Sequence, residues 1–348
     1  MTGAATTDQR DRLRQAFLAR RGLGHAEVRA LAPDASFRRY YRIVDGERSL
    51  MLMDAPPTHE AIAPYVAIAR HLTALGLKAP LIHDTDAAHG FVLLEDFGDD
   101  TYTRLLERGV DEHELYALAI DVLCRLHAHP DAATIELAPY DRARLLDEAL
   151  LLTDWFYPAR FAQRLPEAAR DSYAQAWAET LDGLPPIPST LVLRDFHVDN
   201  LMRVAVAGGT VCGLLDFQDA QLGPGIYDLV SLLEDARRDI DPVLVSGMKQ
   251  RYLASFSGTD RDSFETWYAV LGAQRHCKVA GIFVRLCVRD GKCTYLRHIP
   301  RVLGLLDRQL RHPDLALLRT WLDRHLSGWQ EPLPDFEPEH VRTLMPGG

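Results

Sequence analysis

Leu191-Val-Leu-Arg-Asp195-Phe-His-Val-Asp-Asn200, followed after a glycine turn by Leu214-Leu-Asp216-Phe217, is the stretch that decides how this chain is read. The apolar Leu191-Val-Leu193 reads as a short buried strand. Leu201 to Val206 and Thr210 to Leu215 flank Ala207-Gly208-Gly209, which reads as a hairpin. Asp195 and Asn200 therefore fall on a loop after a strand, and Asp216 falls at the end of a hairpin. Loop acids and amides often serve only as turn formers and caps. Here the spacing Asp-x-x-x-x-Asn, framed by a strand and by Leu-Leu-Asp-Phe, brings three oxygen-bearing side chains to one place. Phosphoryl transfer needs such a set, because it requires an oriented nucleophile and metal-neutralised phosphates. Asp195 is expected to orient an acceptor hydroxyl and accept its proton. Asn200 and Asp216 are expected to supply oxygen ligands to Mg2+, which prefers carboxylate and carbonyl oxygens.

Working outward toward the N-terminus, residues 8–21 suggest a helix with Leu13, Phe17 and Leu18 on one stripe. A strand follows over Ser36 to Val44, with Phe37, Arg39, Tyr41 and Ile43 on one face. Asp45-Gly46 signals a hairpin, with Ser49 to Met53 returning. Pro64 opens a helix carrying Ile68, Leu72 and Leu75, and Gly76 closes it. Phe91-Val-Leu-Leu94 is a short buried strand leading into Glu95-Asp-Phe-Gly98. Beyond residue 98 the pattern turns helical, with a stripe of Leu115, Leu118, Ala119, Val122, Leu123 and Leu126. Helical rhythm continues over 143–181, breaks at Gly183-Leu-Pro-Pro-Ile-Pro188, and resumes over 226–236, 242–256, 262–289 and 299–326. The proline-rich tail after Ser327 reads as extended and loosely packed. The expected fold is α+β and two-lobed: a small mixed, β-rich N-lobe over 1–97 and a larger, mainly helical C-lobe over 98–348.

The chain of 348 residues has ordinary globular composition, 47% hydrophobic and 25% charged. Its net charge of −10 disfavours electrostatic binding to nucleic acid or to an anionic membrane. Charges at Asp8, Arg10, Asp11 and Arg12 precede any apolar run, so no signal peptide is expected. No apolar stretch reaches spanning length. The five cysteines, Cys124, Cys212, Cys277, Cys287 and Cys293, are irregularly spaced. That argues against a disulfide framework or a zinc site and for the cytoplasm, with buried free thiols as the default.

The segment 191–217 resembles the catalytic and metal-binding loops of the aminoglycoside phosphotransferase and choline kinase superfamily, relatives of protein kinases. The resemblance extends across most of the chain. Leu94-Glu-Asp-Phe-Gly98 is similar to the hinge whose backbone holds adenine, which implies nucleotide contacts at Glu95 and Phe97. Leu123-Cys-Arg-Leu-His127 is similar to the end of the long C-lobe helix. Gly223-Pro-Gly-Ile-Tyr-Asp228-Leu resembles the segment whose Asp braces the catalytic loop. Within the superfamily the chain most resembles the anomeric kinases of N-acetylmuramate and N-acetylglucosamine that act in cell-wall recycling. Asp34-Ala-Ser-Phe-Arg-Arg-Tyr-Tyr-Arg42, Leu52-Met-Asp-Ala-Pro-Pro57, Leu93-Leu-Glu-Asp96 and Arg194-Asp-Phe-His197 carry that likeness. Gln274-Arg275, Gly281-Ile-Phe283, Arg285-Leu286 and Tyr295-Leu296 match as well. ATP and Mg2+ are implied as cofactors, and an amino sugar as the small-molecule partner.

Three departures stand out. Leu193 replaces the usual His two residues before the catalytic Asp. The phosphate loop, Asp34-Ala-Ser36-Phe-Arg, is not glycine-rich. The strand Ser49-Leu-Met-Leu-Met-Asp54 has Met51 or Met53 where a phosphate-binding Lys belongs. Hairpin pairing around Asp45-Gly46 would put Met53 opposite Arg39 or Tyr40. Arg39 or Arg42 is therefore expected to supply the missing charge, since a guanidinium fork suits phosphate, with solvated strand arginines as the bland alternative. Glu60 is either their ion-pair partner or a first-turn helix acid.

The segment from Arg275 to Arg297 holds Arg275, Lys278, Arg285, Arg289, Lys292 and Arg297 against Asp290 alone. A basic acceptor region suits a carboxylate-bearing acceptor and not a polycationic antibiotic. Arg275, Arg285 and Tyr295 are the expected acceptor contacts, and His197 either joins them or packs the catalytic loop. Two rival readings stay open: a kinase of another small alcohol (an aminoglycoside, choline or homoserine), and a nucleotide-binding pseudokinase.

Overall fold

A computed structural model describes residues 2–32, 37–256, 258 and 260–345, with only the backbone path for residues 2–8. The described strands are β1 (Glu27–Ala30), β2 (Arg39–Asp45), β3 (Arg48–Asp54), β4 (Ile82–Asp86), β5 (Phe91–Glu95), β6 (Ser189–Val192), β7 (Leu201–Val206), β8 (Gly209–Leu214) and β9 (Gln221–Pro224). The helices are α1 (Thr2–Arg20), α2 (Ala63–Ala74), α3 (Tyr102–Glu107), α4 (Glu112–Ala128), α5 (Arg142–Ala149), α6 (Tyr157–Phe161), α7 (Glu167–Asp182), α8 (Ile226–Leu233), α9 (Pro242–Ala254), α10 (Arg261–Asp290), α11 (Ile299–Gln309), α12 (Ala316–His325) and α13 (Pro338–Thr343). The chain divides into two compact units, Met1–Val122 with Val198–Ala220, and Leu123–His197 with Gln221–Gly348.

The first unit is built on a five-stranded sheet of order β1-β2-β3-β5-β4, every neighbouring pair antiparallel. Its register follows from the expected hairpin. Gly46 adopts φ +61°, and Tyr40 falls opposite Met53. Phe37 lies outside the strand, exposed and stacked on His59 at 4.6 Å, because β2 begins only at Arg39. Alternation along β2 buries Tyr41 and Ile43 against Phe17 and Leu18 of α1, with Leu50, Leu52, Phe91 and Leu93 completing the cluster. Each such aliphatic or aromatic side chain is worth about 1.5–3 kcal/mol when fully buried. Arg10 of α1 donates its Nε to Asp54 at 2.7 Å, and Arg14 lies 4.0 Å over the Tyr41 ring. Bridges from Lys78 to Gly213 and from Thr101 to Met202 tie the β7–β8 hairpin into this unit. These ties explain why the compact unit cuts the chain elsewhere than at 97/98.

The second unit is helical around α10, which is 30 residues and about 45 Å long. The Asp260 carboxylate caps its start by accepting the Ser263 N–H at 2.9 Å, and Gly291, at φ +69°, ends it. Gly281 lets α10 lie against the π-helical turn Leu152–Phe156, since a Cβ there would stand 2.2 Å from the Leu151 carbonyl oxygen. The strands β6 and β9 form a short antiparallel ladder with Leu191 opposite Leu222.

Two expectations are corrected. The tail after Ser327 is packed: Trp329 and Val341 are each 1% exposed, and α13 forms between the prolines. Prolines limit helix length, but the apolar residues between them still find a surface to cover. Cys287 and Cys293 are joined in a disulfide, because the chain reverses at Gly291 and returns residue 293 to the end of α10. Cys124, Cys212 and Cys277 are free and buried. Among the described residues, no helix is long and apolar enough to cross a membrane.

Candidate active site

In the second unit, β6 ends at Val192 and the chain turns through Leu193 and Arg194 into Asp195. Arg194 has φ +69°, a left-handed conformation that costs a non-glycine residue on the order of 1–3 kcal/mol. Asp228, in the first turn of α8, compensates. Its fully buried carboxylate accepts the Leu193 N–H and the Arg194 N–H, both at 2.7 Å. Gly225 makes room for this turn, since a Cβ there would stand 2.8 Å from Nδ1 of His127. Asp228 thus holds the backbone of the turn that leads into Asp195.

A buried charge cluster surrounds that loop. Glu148 on α5 accepts from Tyr140 Oη at 2.6 Å and from Arg194 Nη2 at 2.5 Å, and it pairs with Lys278 Nζ at 2.8 Å. Lys278 also donates to the Tyr227 hydroxyl at 3.2 Å, and Arg275 donates to the same oxygen at 3.3 Å. Arg275 is only 5% exposed, yet among the described residues no carboxylate stands within ion-pair distance of it. Burial pushes the Asp195 carboxyl up, but Lys278 and Arg275, then His197 and Arg194, outweigh it and hold the group below its usual value. Asp195 is therefore ionised and able to receive a proton hydrogen-bonded to it. Burial likewise pushes the Tyr227 phenol up, and Lys278 and Arg275 reverse it. Cavities of about 420 and 730 Å3 open elsewhere in this unit, lined in part by Arg301 and Tyr268 and by Thr190 and Trp267 respectively. Asp195 lines neither of these two.

In the first unit, Asn200 and Asp216 meet, with Asn200 Nδ2 3.5 Å from Asp216 Oδ2. Asp216 has φ +56°, a second left-handed residue at a chemically loaded position. Arg38 lies against this pair. Its Nη1 donates to Gln218 Oε1 at 2.6 Å and to Asp216 Oδ1 at 3.2 Å, while its Nε donates to Glu60 at 3.0 Å. Burial works against the Arg38 charge, but the Tyr40 oxygen, Asp216 and Glu60 keep it firmly protonated. Among the described residues no three His, Cys, Asp or Glu side chains are grouped to hold a metal ion. Mg2+ takes one or two protein oxygens and fills its remaining positions with water and substrate phosphate. The carboxylate of Asp216 and the amide oxygen of Asn200 are hard donors of that kind.

The other expected residues fall as follows. Ser36 lies outside the described residues. Arg39 is exposed and stands opposite Asp54 in the ladder. Arg42 pairs with Asp96 at 2.7 Å and Asp99 at 2.9 Å and donates to the Gly98 carbonyl, so its fork is occupied. Glu95 pairs with Lys78 at 2.5 Å, and its backbone N–H donates to Leu81, so that donor is already used. Phe97 lies under Lys78 at 5.1 Å and faces Gly213. His197 is buried, two residues beyond Asp195. Arg285 is half-buried, and among the described residues its Nε has no hydrogen-bond partner. Tyr295 stacks on Phe283 at 5.5 Å. Sequence reading passed over Arg38, Tyr227, Glu148 and, as an individual, Lys278. The signal for Lys278 was its spacing: Arg275 and Lys278, at i and i+3, share one face of a helix. Arg38 alternates out of phase with the strand face that was followed.

A family model described as a phosphotransferase enzyme family matches residues 27–267. The chain belongs to that family. It is 35% identical over 356 aligned positions to an N-acetylmuramate/N-acetylglucosamine kinase of Caulobacter vibrioides, covering 92% of this chain and 98% of that one. To the protein of the same name in Neisseria meningitidis it is 38% identical, covering 84% and 88%. Among solved structures, an ADP-bound aminoglycoside phosphotransferase, APH(2'')-Ib, shares the fold, with a TM-score of 0.55 at 15% identity, covering 81% of this chain and 94% of that one. This phosphotransferase thus has the expected β-rich and helical parts of the kinase-like fold.

Proposed function

We propose that the protein transfers the γ-phosphoryl group of ATP to the anomeric 1-hydroxyl of N-acetylmuramate and of N-acetylglucosamine, in the cytoplasm. The observation that carries this reading is the 35% identity, over nearly the whole chain, to a protein named for those two sugars. The buried Arg275 without a carboxylate partner and the half-buried Arg285 support an acceptor that brings its own carboxylate, as N-acetylmuramate does.

Asp195 accepts the proton of the 1-hydroxyl as the sugar oxygen bonds to the γ-phosphorus and the bond to the β-phosphate oxygen breaks, releasing ADP. Asp228 fixes the backbone that aims Asp195. Asn200 and Asp216 would hold Mg2+, which supplies neutralisation of the phosphate charge when bound. Arg38 joins Arg39 and Arg42 as a proposed nucleotide-phosphate ligand: it is the buried fork at the Asp216 carboxylate, with Glu60 as its ion-pair partner. Glu95 and Phe97 lie in the segment proposed to hold adenine. Purified protein with ATP and Mg2+ should consume ATP with either amino sugar and not with kanamycin, choline or homoserine. Turnover of one of the latter alone would replace the acceptor assignment. ATP binding without any turnover would favour a pseudokinase.

A further inference from the structure

The disulfide between Cys287 and Cys293 joins two elements that are held very differently. Cys287 lies in the last turn of α10 and is 2% exposed. That end of α10 has a second hold, since Arg342 of α13 donates to the Val288 carbonyl at 2.5 Å. Cys293 is exposed and opens the six-residue 3-10 turn Cys293–His298, in which no residue is buried. The turn meets α10 through the rings of Tyr295 and His298 on Phe283, at 5.5 and 5.9 Å. Just before it, the Lys292 N–H donates to the Leu286 carbonyl at 3.0 Å. A segment with no buried residue has little apolar area to keep it in place. The covalent bond is therefore its strongest tie to α10.

We infer that Cys287 and Cys293 form a reversible redox site: a dithiol reductant opens the disulfide and releases the Cys293–His298 turn, which weakens binding of the sugar, and reoxidation fastens the turn again. This rests on the proposed reading of a cytoplasmic sugar kinase with Tyr295 at the acceptor. In a cytoplasm kept reducing by thiols, disulfides are transient and serve catalysis or redox sensing. Phosphoryl transfer needs no thiol, so sensing is the role left to this pair. The exposed sulfur is the one a reductant reaches. A thiolate of the dithiol attacks Cys293, the bond between the two cysteine sulfurs breaks, and Cys287 leaves as a thiolate that takes up a proton. The second thiol of the reductant then displaces Cys293 from the mixed disulfide. The protein gains two electrons and two protons, and the dithiol loses both as it closes to a disulfide. Reoxidation by a small disulfide such as oxidised glutathione runs the same exchange in reverse. Tyr295 is placed by this turn, so freeing the turn removes a preorganised side chain and costs affinity.

The test compares the full-length protein after oxidised glutathione and after dithiothreitol. Free thiols counted in denaturant should rise from three to five on reduction. Reduction should raise the KM for N-acetylmuramate about threefold or more and leave the KM for ATP within about 1.5-fold. Trypsin cleavage after Lys292 and Arg297 should speed up about threefold or more. Cys293→Ser, at an exposed position, should match the reduced protein and no longer respond to dithiothreitol. A sugar KM or a cleavage rate that stays constant while the thiol count changes overturns the inference. A thiol count that does not change between the two treatments, or a Cys293→Ser protein that still responds, does the same. Failure of the kinase reading is distinct: neither sugar is then turned over in either state, and the thiol count and cleavage rate still decide for or against the redox site.

Discussion

The two units each bury a cationic network, and the networks are built on opposite balances. In the first unit Arg38 is shared between two carboxylates, Glu60 and Asp216, and the latter is still 42% exposed. Gln218 accepts from the same guanidinium, so its charge is satisfied within the unit. In the second unit Arg275 and Lys278 are more than nine-tenths buried and both donate to the Tyr227 hydroxyl, while Glu148 is shared between Lys278 and Arg194. Among the described residues no carboxylate stands at ion-pair distance from Arg275. A buried cation held by a neutral hydroxyl gains from an anion brought to it. The difference teaches that the two units hold their buried cations by different means, carboxylates in one and in part a phenol oxygen in the other, which suits the separate roles proposed for them.

Substitutions should break that contrast in a graded way. Asp195→Asn removes the proton acceptor and should lower kcat about a thousandfold or more while the ATP dissociation constant, measured by calorimetry, stays within about twofold. Arg38→Ala should act on the nucleotide side, raising the KM for ATP and lowering kcat to a combined loss of about one hundredfold. The KM for the sugar should barely move, and Arg38→Lys should recover only part of the loss. Arg275→Ala should act on the acceptor side: its KM for N-acetylmuramate should rise about tenfold relative to its KM for N-acetylglucosamine, which has no carboxylate. Equal rises for both sugars would break the assignment of Arg275 to an acceptor anion.

Smaller effects sharpen the comparison through stability. Burial pushes the Glu148 carboxyl up, but Lys278 and Arg194 outweigh it and hold the group below its usual value. A folded-state pKa below the unfolded one gives stability that is fully present above the unfolded pKa, near 4.5, and is lost as the pH falls through the folded value. Denaturant midpoints between pH 7 and pH 3 should therefore fall less steeply at the acid end in Glu148→Gln than in the wild type. The smallest effect belongs to the surface of the same basic segment. Arg289 is exposed and pairs with its neighbour Asp290 at 2.8 Å. Arg289→Ala should change stability by less than about 0.5 kcal/mol and leave both sugar KM values alone.

Much of the fold was legible because local chemistry and global pattern agree. Asp45-Gly46 signalled the hairpin and narrowed the partner of Met53 to Arg39 or Tyr40, of which the ladder takes Tyr40, and Pro64 and Gly76 bounded α2. The pairing of Asn200 with Asp216 was legible for the same reason, since a hairpin of known length returns the chain to its start. The long-range partners of cations were not legible. Arg38, Arg39 and Arg42 are equivalent in composition, and only the folded chain shows that Arg38 is the one bonded to Glu60 and Asp216. Six basic residues between 275 and 297 gave a local charge, but helical spacing and burial separate Arg275 and Lys278 from Arg289 at the surface. The Cys287–Cys293 bond depended on a chain reversal that spacing alone does not reveal.

The most direct measurement is the position of the phosphate on the product. Protein incubated with ATP, Mg2+ and N-acetylmuramate, then examined by proton–phosphorus correlation NMR, should give a phosphorus coupled to the anomeric proton. Coupling to the C6 protons, or unconsumed sugar beside an enzyme active on another alcohol, would contradict the account.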